Sequence, residues 1–283
     1  MAAAYDGPHS IVLNRNEPNL GIVLHFNKII KMSSGHFICM NAGDDFSSAN
    51  RVDVLYEAWV SNNQKHDIIH SAAWKVNSQS KKLKILYPHS ATAITQPSTL
   101  DFVSGTQQGI GATFMYTKRL FKIFGPLPKY AEVEDRPMVF RAYLAGGLLF
   151  ANEPLVYHRV GGISSPRPET LGHMILFGGR IKTLSWRVSS AKCYLNDLKL
   201  FPNQYFGINE KQIRQFIENG EWEIKLSEAS YVRKLKLFKE ALVRTSSCQN
   251  LKPVRSYIKY LTWPIYYALL NIKNRNKNNE TKA

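Results

Sequence analysis

Hydrophobic positions in the first half of the chain alternate between the period of strands and the period of helices. The short apolar runs rich in β-branched residues predict strands at 11–13, 36–40, 67–76 and 84–87. The predicted helices are 22–32 and about 47–59, the second capped by Ser47 or Ser48. The run 36–40 is apolar enough to be buried on both faces, as in a parallel sheet. This order favours an open α/β sheet that binds its ligand beyond the carboxyl ends of the strands.

The second half becomes helical. Its predicted elements are a helix at 118–124, a helix at 134–144, a strand or hairpin at 148–160 with Pro154 at a turn, and helices at about 169–188, 208–219, 228–244 and 251–273. A change of pattern near residue 165 predicts two regions. The first, residues 1–165, is an α/β core, and the second, residues 166–283, is a helical, basic region.

Composition and charge exclude several classes of protein. The chain has 283 residues, 44% of them hydrophobic, so it can bury a core and is not disordered. It has no uncharged apolar run of about 20 residues, which excludes a multi-pass membrane protein, and its start has no signal-peptide pattern. Its three cysteines lack metal spacing and suit a reducing compartment.

The net charge of +16 implies an anionic partner, but most of the excess lies near the end of the chain. From Tyr231 onward, twelve Lys and Arg residues face only two Glu residues. The first 230 residues are therefore not a basic platform for nucleic acid. Since the basic residues also match no nucleic-acid-binding module, no nucleic-acid partner is expected.

Two pairs of adjacent carboxylates are the candidates for chemistry. Asp44 and Asp45 follow an apolar strand, where carboxylates can hold Mg²⁺ or Mn²⁺ together with substrate phosphates. The alternative is that they cap the next helix. Glu134 and Asp135 open a helix, where one of them could act as a general base, or both could simply favour a helix N-terminus.

A third candidate is His158-Arg159, at the end of an apolar strand. Arg159 could clamp a phosphate with two parallel hydrogen bonds, or it could be a solvated strand end. The stretch 105–113, which contains Gly105, Gly109 and Gly111, has the composition of a functional loop.

Taken in order, these stretches resemble family 2 glycosyltransferases, which are inverting enzymes of the GT-A fold. The resemblance covers about residues 1–165. It rests on Asn19-Leu20-Gly21, Ser34-Gly35-His36-Phe37-Ile38, Gly43-Asp44-Asp45, Gly111-Ala112, Phe124-Gly125-Pro126-Leu127, Glu134-Asp135-Arg136, Gly146-Gly147 and the segment from Pro154 to Ser164. The resemblance implies a GT-A-like, Rossmann-like open sheet followed by a helical C-terminal region.

The resemblance also implies roles for individual residues. Asp44 corresponds to the carboxylate that holds Mg²⁺ or Mn²⁺ against the donor diphosphate, with Asp45, Gly111 and Arg159 beside the donor. Asp135 corresponds to the base that deprotonates the acceptor hydroxyl. The family's other metal-binding aspartate falls on Ala42, so the chain departs from the pattern there.

The chain begins at what resembles the third strand of the family's sheet, so we expect the donor-binding domain to be N-terminally incomplete. The expected function is sugar transfer, with inversion, from a nucleotide-diphosphate donor to a glycan or lipid-linked acceptor in bacterial surface polysaccharide synthesis. The alternative is a truncated, non-catalytic membrane-surface protein that retains a remnant of this fold.

The apolar, aromatic run from Tyr257 to Leu270 is only fourteen residues long and has basic residues on both sides. It is too short to span a bilayer, but it suits an interfacial helix on anionic lipid. A helix packed on the core is the alternative. The expected location is the inner face of the plasma membrane, as a peripheral cytoplasmic protein.

Overall fold

The computed structural model describes residues 6–87, 97–106, 109–159, 173–202 and 206–228, with the backbone alone for 173–180. These residues form seven α-helices and six strands. The helices are α1 Gly21–Met32, α2 Arg51–Ser61, α3 Thr99–Ser104, α4 Lys118–Phe124, α5 Asp135–Ala145, α6 His173–Leu198 and α7 Glu210–Glu228. The strands are β1 Phe37–Cys39, β2 Phe46–Ser47, β3 Ile68–Val76, β4 Lys82–Leu86, β5 Met115–Thr117 and β6 Leu148–Arg159.

All six strands join one open, mixed sheet with the order β1-β5-β3-β6-β2, and β4 pairs with β3 beside this path. Only the central pair, β3 and β6, is parallel among the described strands. The prediction that 36–40 is a strand of a parallel sheet was therefore wrong in its pairing. Strand β1 lies at an end of the strand order and pairs with β5 in the antiparallel sense. The α/β fold class, an open sheet followed by helices, is confirmed.

The two faces of the sheet carry separate cores because successive side chains of a strand point to opposite sides. Ile68 lies in the larger core, which α1, α4, α5, α6 and α7 cover. Ile69, its neighbour, lies in a smaller core with Leu55 of α2, Met115 and Leu155. Most of the helical mass therefore lies on one side of the sheet.

Local signals place α4 and α5 next to each other on the larger core. Helix α4 ends at Gly125, which has a φ of 68°, a conformation that glycine adopts without steric cost. On α5, Arg141 is buried and its guanidinium donates to both carboxylate oxygens of Asp197 on α6, at 2.9 and 3.1 Å. This buried ion pair ties the α5 helix to the helical region that follows the sheet.

Three other expectations differ from the structure. Residues 11–13 form no strand, and Val12 and Leu13 are 70% and 80% exposed, because no neighbouring strand pairs with them in the described chain. Helix α2 begins at Arg51, and neither predicted cap precedes it directly, since Ser47 lies in β2. Residues 148–159 form one strand, and Pro154 lies opposite Ala72 where the register with β3 shifts.

The helical region is described as far as residue 228. Helix α6 extends to Leu198, beyond the predicted end, and α7 matches the prediction for 208–219 but continues to Glu228. The predicted helices 228–244 and 251–273, with the membrane-binding segment, lie outside the described residues. Within the described chain, every helix is too short or too polar to cross a bilayer. The boundary at residue 165 stays a prediction.

Candidate functional site

The loop after β1 carries Asp44 and Asp45, and the two carboxylates have different surroundings. Asp45 is buried, and its carboxylate accepts hydrogen bonds from His158 Nδ1 at 2.9 Å and from the backbone N–H of Arg159 at 2.8 Å. Asp44 is exposed. Asp45 therefore fixes the loop to the end of β6, and Asp44 is the carboxylate of the pair that faces solvent.

Arg159 joins the same loop to the hairpin between β3 and β4. Its Nε donates to the carbonyl oxygen of Asp44 at 3.0 Å, and Nη1 donates to the carbonyl oxygens of Asn77 and Ser78 at 3.0 and 2.8 Å. Its Nη2 donates to Ser80 Oγ at 3.0 Å. Arg159 is thus already hydrogen-bonded to protein groups, and it contacts the loop rather than projecting freely from the strand end.

Arg51, at the start of α2, connects this loop to the glycine-containing segment before β5. It is buried, and its Nη2 donates at 2.8 Å both to the carbonyl oxygen of Met40 and to that of Ala112. Its Nη1 donates to Ser47 Oγ at 2.9 Å. Sequence analysis missed Arg51. The sequence signal for its burial was its place at the start of a predicted helix, one turn before the apolar Leu55.

The same glycine segment lies against the second carboxylate pair. A Cβ built on Gly111 would lie 3.3 Å from Asp135 Cβ and 3.5 Å from Glu134 Oε1. Gly111 therefore stands beside Asp135, whose Oδ1 accepts the backbone N–H of Arg136 at 2.7 Å. A series of contacts, from Asn41 through Arg51 to Ala112 and Gly111, thus connects the loop of the first pair to the segment beside the second pair.

Burial changes the acidity of the second pair. Burial, with a smaller contribution from the charge of Asp135, raises the pKa of Glu134 to about 7. Burial also raises the pKa of Asp135, an effect that the backbone N–H and the positive charge of Arg136 partly offset. A carboxylate with a raised pKa is a stronger base when it is ionised, so the pair suits proton transfer near neutral pH.

His70, on β3, is a further buried group that sequence analysis did not select. Its ring is fully buried between Phe114 and Phe150, and neither nitrogen has a hydrogen-bond partner in the described chain. Burial lowers the pKa of His70 to about 4, so the imidazole is neutral at physiological pH. A histidine inside an apolar strand indicates a buried ring. The sequence does not show that the ring nitrogens have no hydrogen-bond partner among the described residues.

The fit of Mg²⁺ or Mn²⁺ depends on Asp44. No cluster of three His, Cys, Asp or Glu side chains exists among the described residues, and both oxygens of Asp45 already accept hydrogen bonds. A single exposed carboxylate does suit an ion that also takes the phosphate oxygens of a substrate and water. The residues thus fit a cation that arrives with its ligand.

The structure brings Asp44, Asp45 and Arg159 together and places Gly111 against Asp135. The roles of these five residues in binding and catalysis stay predictions.

No known protein family's model matches the sequence, and no curated protein matches it. Solved structures of similar fold include the following three. S. aureus TarS 1-349 in complex with UDP-GlcNAc has a TM-score of 0.44 and 13% identity over 85% of this chain and 62% of its own length. A second structure of S. aureus TarS has a TM-score of 0.43 and 14% identity over 76% of this chain and 34% of its own.

The third is the mannosyltransferase PcManGT from Pyrobaculum calidifontis in complex with GDP-Man and Mn²⁺. Its TM-score is 0.38, with 11% identity over 85% of this chain and 66% of its own. The chain thus spans less than two thirds of the length of the two TarS structures. Likeness at this level describes the general fold, so activity is inferred below from the chain's own residues.

Proposed function

We propose that the protein is a glycosyltransferase that moves a sugar from a nucleotide-diphosphate donor to a hydroxyl of a glycan or lipid-linked acceptor. The observation that carries this proposal is the Glu134–Asp135 pair, which lies at the start of α5 against Gly111 and has raised pKa values. The order of motifs that resembles family 2 glycosyltransferases supports it.

Asp135 is the proposed general base. Its ionised carboxylate would accept the proton of the acceptor hydroxyl while that oxygen attacks the anomeric carbon of the donor sugar. The bond from the anomeric carbon to the diphosphate breaks on the opposite side, and the nucleoside diphosphate leaves with the electron pair. Direct displacement with one base inverts the anomeric centre, in contrast to a retaining glycosidase, which uses a second carboxylate as nucleophile.

Asp44 would hold the cation through its exposed carboxylate, and Asp45 would keep Asp44 in place through His158 and Arg159. A bound Mg²⁺ or Mn²⁺ supplies positive charge that stabilises the diphosphate. Gly111 leaves room beside Asp135 because a side chain there would crowd the two carboxylates.

The proposed setting is the inner face of the plasma membrane, in the synthesis of a bacterial surface polysaccharide. Residues 251–275 would lie on anionic lipid as an interfacial helix, because they combine aromatic and basic residues in a short apolar run. A nucleic-acid partner is not proposed.

The test compares the full chain with its Asp135→Asn variant in an assay for nucleoside diphosphate released from a panel of nucleotide sugars. Asn keeps the shape and cannot accept the proton, so the turnover rate should fall by at least ~10²-fold while binding of the donor persists. Asp53→Asn, on the exposed surface of α2, is the matched control and should keep normal turnover.

Normal turnover in Asp135→Asn would refute the role of Asp135. No transfer by the full chain with any donor, with nucleotide-sugar binding also absent, would favour the non-catalytic membrane-surface protein instead.

A further inference from the structure

Arg136, the second residue of α5, is a buried arginine whose charge lies beside that of Asp135. The residue is 8% exposed. Its Nη1 is buried and has no hydrogen-bond partner in the described chain. A Cβ built on Gly105 would overlap this nitrogen, so the glycine backbone lies directly against the guanidinium. The described residues thus enclose Nη1 without offering it a hydrogen-bond acceptor.

Arg141, on the same helix, is a buried arginine with a structural role and serves as a comparison for Arg136. It is 1% exposed and donates to both oxygens of Asp197, to the carbonyl oxygen of Gly125 at 2.9 Å and to that of Pro126 at 3.5 Å. The two arginines are therefore buried to a similar degree but differ completely in their partners.

A buried donor without a hydrogen-bond acceptor is costly, so a guanidinium in this state favours binding an anion that accepts from Nη1. Carboxylates and phosphates match its planar fork of donors. The position adds to this preference, because the first turn of a helix carries a partial positive charge and free backbone N–H groups. Asp135, the adjacent residue, accepts the backbone N–H of Arg136, and its charge acts on the guanidinium without an observed hydrogen bond to it.

We propose that Arg136 binds an oxyanion, a phosphate or carboxylate group of the ligand that reaches Asp135. Identifying this ligand as the acceptor rests on the proposed function, because the base contacts the acceptor hydroxyl. The acceptor would then be an anionic molecule rather than a neutral glycan.

The experiment measures the thermal unfolding midpoint of the full chain and of Arg136→Met with inorganic phosphate, against chloride at the same ionic strength. Phosphate that binds the folded state should raise the wild-type midpoint by about 2 to 4 °C. Arg136→Met should show no such rise. Arg214→Met, which removes an exposed arginine of α7, is the matched control and should respond like the wild type, since both retain the basic tail.

Chloride alone provides a second readout. Arg136→Met should be at least as stable as the wild type there, because methionine fills the space without a buried charge. Arg141→Met should lower the midpoint by more than about 5 °C, because it leaves Asp197 buried and unpaired. An equal response of Arg136→Met and wild type to phosphate, or a loss of folding in Arg136→Met comparable to that of Arg141→Met, would overturn the proposal.

A third arm replaces phosphate by acetate. A rise with phosphate alone identifies a phosphate group, and a rise with both identifies a general oxyanion site that also takes a carboxylate. No rise with either in the wild type overturns the proposal. None of these measurements needs turnover, so absence of glycosyl transfer and absence of anion binding are separate results.

Discussion

The two pairs of adjacent carboxylates are connected through Arg51 and Gly111, but they differ in burial and hydrogen bonding. In the first pair, Asp45 accepts two hydrogen bonds from the end of β6, and only Asp44 remains exposed. In the second pair, Glu134 and Asp135 are partly buried with few donors, and both pKa values are raised. The first pair organises a loop, whereas the second has the strained electrostatics that are typical of proton transfer.

The largest expected effect is the dependence of stability on pH that the second pair, Glu134 and Asp135, causes. The pKa of Glu134 is about 7 in the folded protein and near 4.5 when unfolded, so the folded state binds more protons between these values. The free energy of unfolding should therefore fall as pH rises from about 4.5 to 7, by about 3 kcal/mol in total. Glu134→Gln should remove most of this fall and leave the part that is due to the raised pKa of Asp135. Urea unfolding at several pH values measures it, and an unchanged pH dependence in Glu134→Gln would contradict the raised pKa.

In the first pair, we expect substitution of Asp45 to lower the stability of the fold and substitution of Asp44 to leave it nearly unchanged. Asp45→Ala leaves the backbone N–H of Arg159 and the ring of His158 without an acceptor, which should lower the free energy of unfolding by about 2 kcal/mol. Asp44→Ala, the matched control in the next position, should change it by less than about 0.5 kcal/mol because Asp44 is exposed. Chemical denaturation at pH 7 compares the two. Equal losses would mean that the pair is not divided into a structural and a free carboxylate.

The smallest expected effect above pH 5.5 concerns His70, whose contribution opposes that of Glu134. Its pKa is about 4 in the folded protein, below the ordinary 6.5, so stability falls as pH drops from 6.5 towards 4. The contribution should be about 1 kcal/mol near pH 5.5. His70→Leu should therefore expose the full slope due to Glu134, with stability decreasing steadily from pH 4.5 to 7. The same urea titrations measure it, and a flat profile in His70→Leu would show that the two contributions do not offset each other.

Elements with strong local signals were predictable. Helix α4 matches its predicted range to the residue, since Gly125 stops it, and α1 differs from its predicted range by one residue. Strand β3 was also found, because its apolar run is long. The pairing of β1 was not predictable, since the direction of a neighbouring strand depends on the path of the chain far away in the sequence. The prediction of a strand at 11–13 was wrong for the same reason, because an apolar run becomes a strand only when another strand pairs with it.

The site was predictable in its residue types but not in its electrostatics. The sequence pointed to Asp44 and Asp135 through their places after a strand and at a helix start. It could not show that Asp45 is hydrogen-bonded to His158 or that Arg51 joins two loops. Nor could it show that Arg136 Nη1 and both ring nitrogens of His70 have no hydrogen-bond partner among the described residues. These properties depend on which groups from distant segments are absent around a buried atom, and no local pattern records an absence.

The parallel pairing of β3 with β6 has a consequence for how the molecule folds. Ile68 pairs with Leu148, so the two central strands meet only after a loop of about 80 residues has closed. Such distant contacts form late, and proteins that depend on them fold slowly. During synthesis, the edge of β3 that pairs with β6 therefore stays exposed until β6 has left the ribosome. We expect newly made chains that end before residue 148 to be prone to aggregation, whatever the stability of the finished protein.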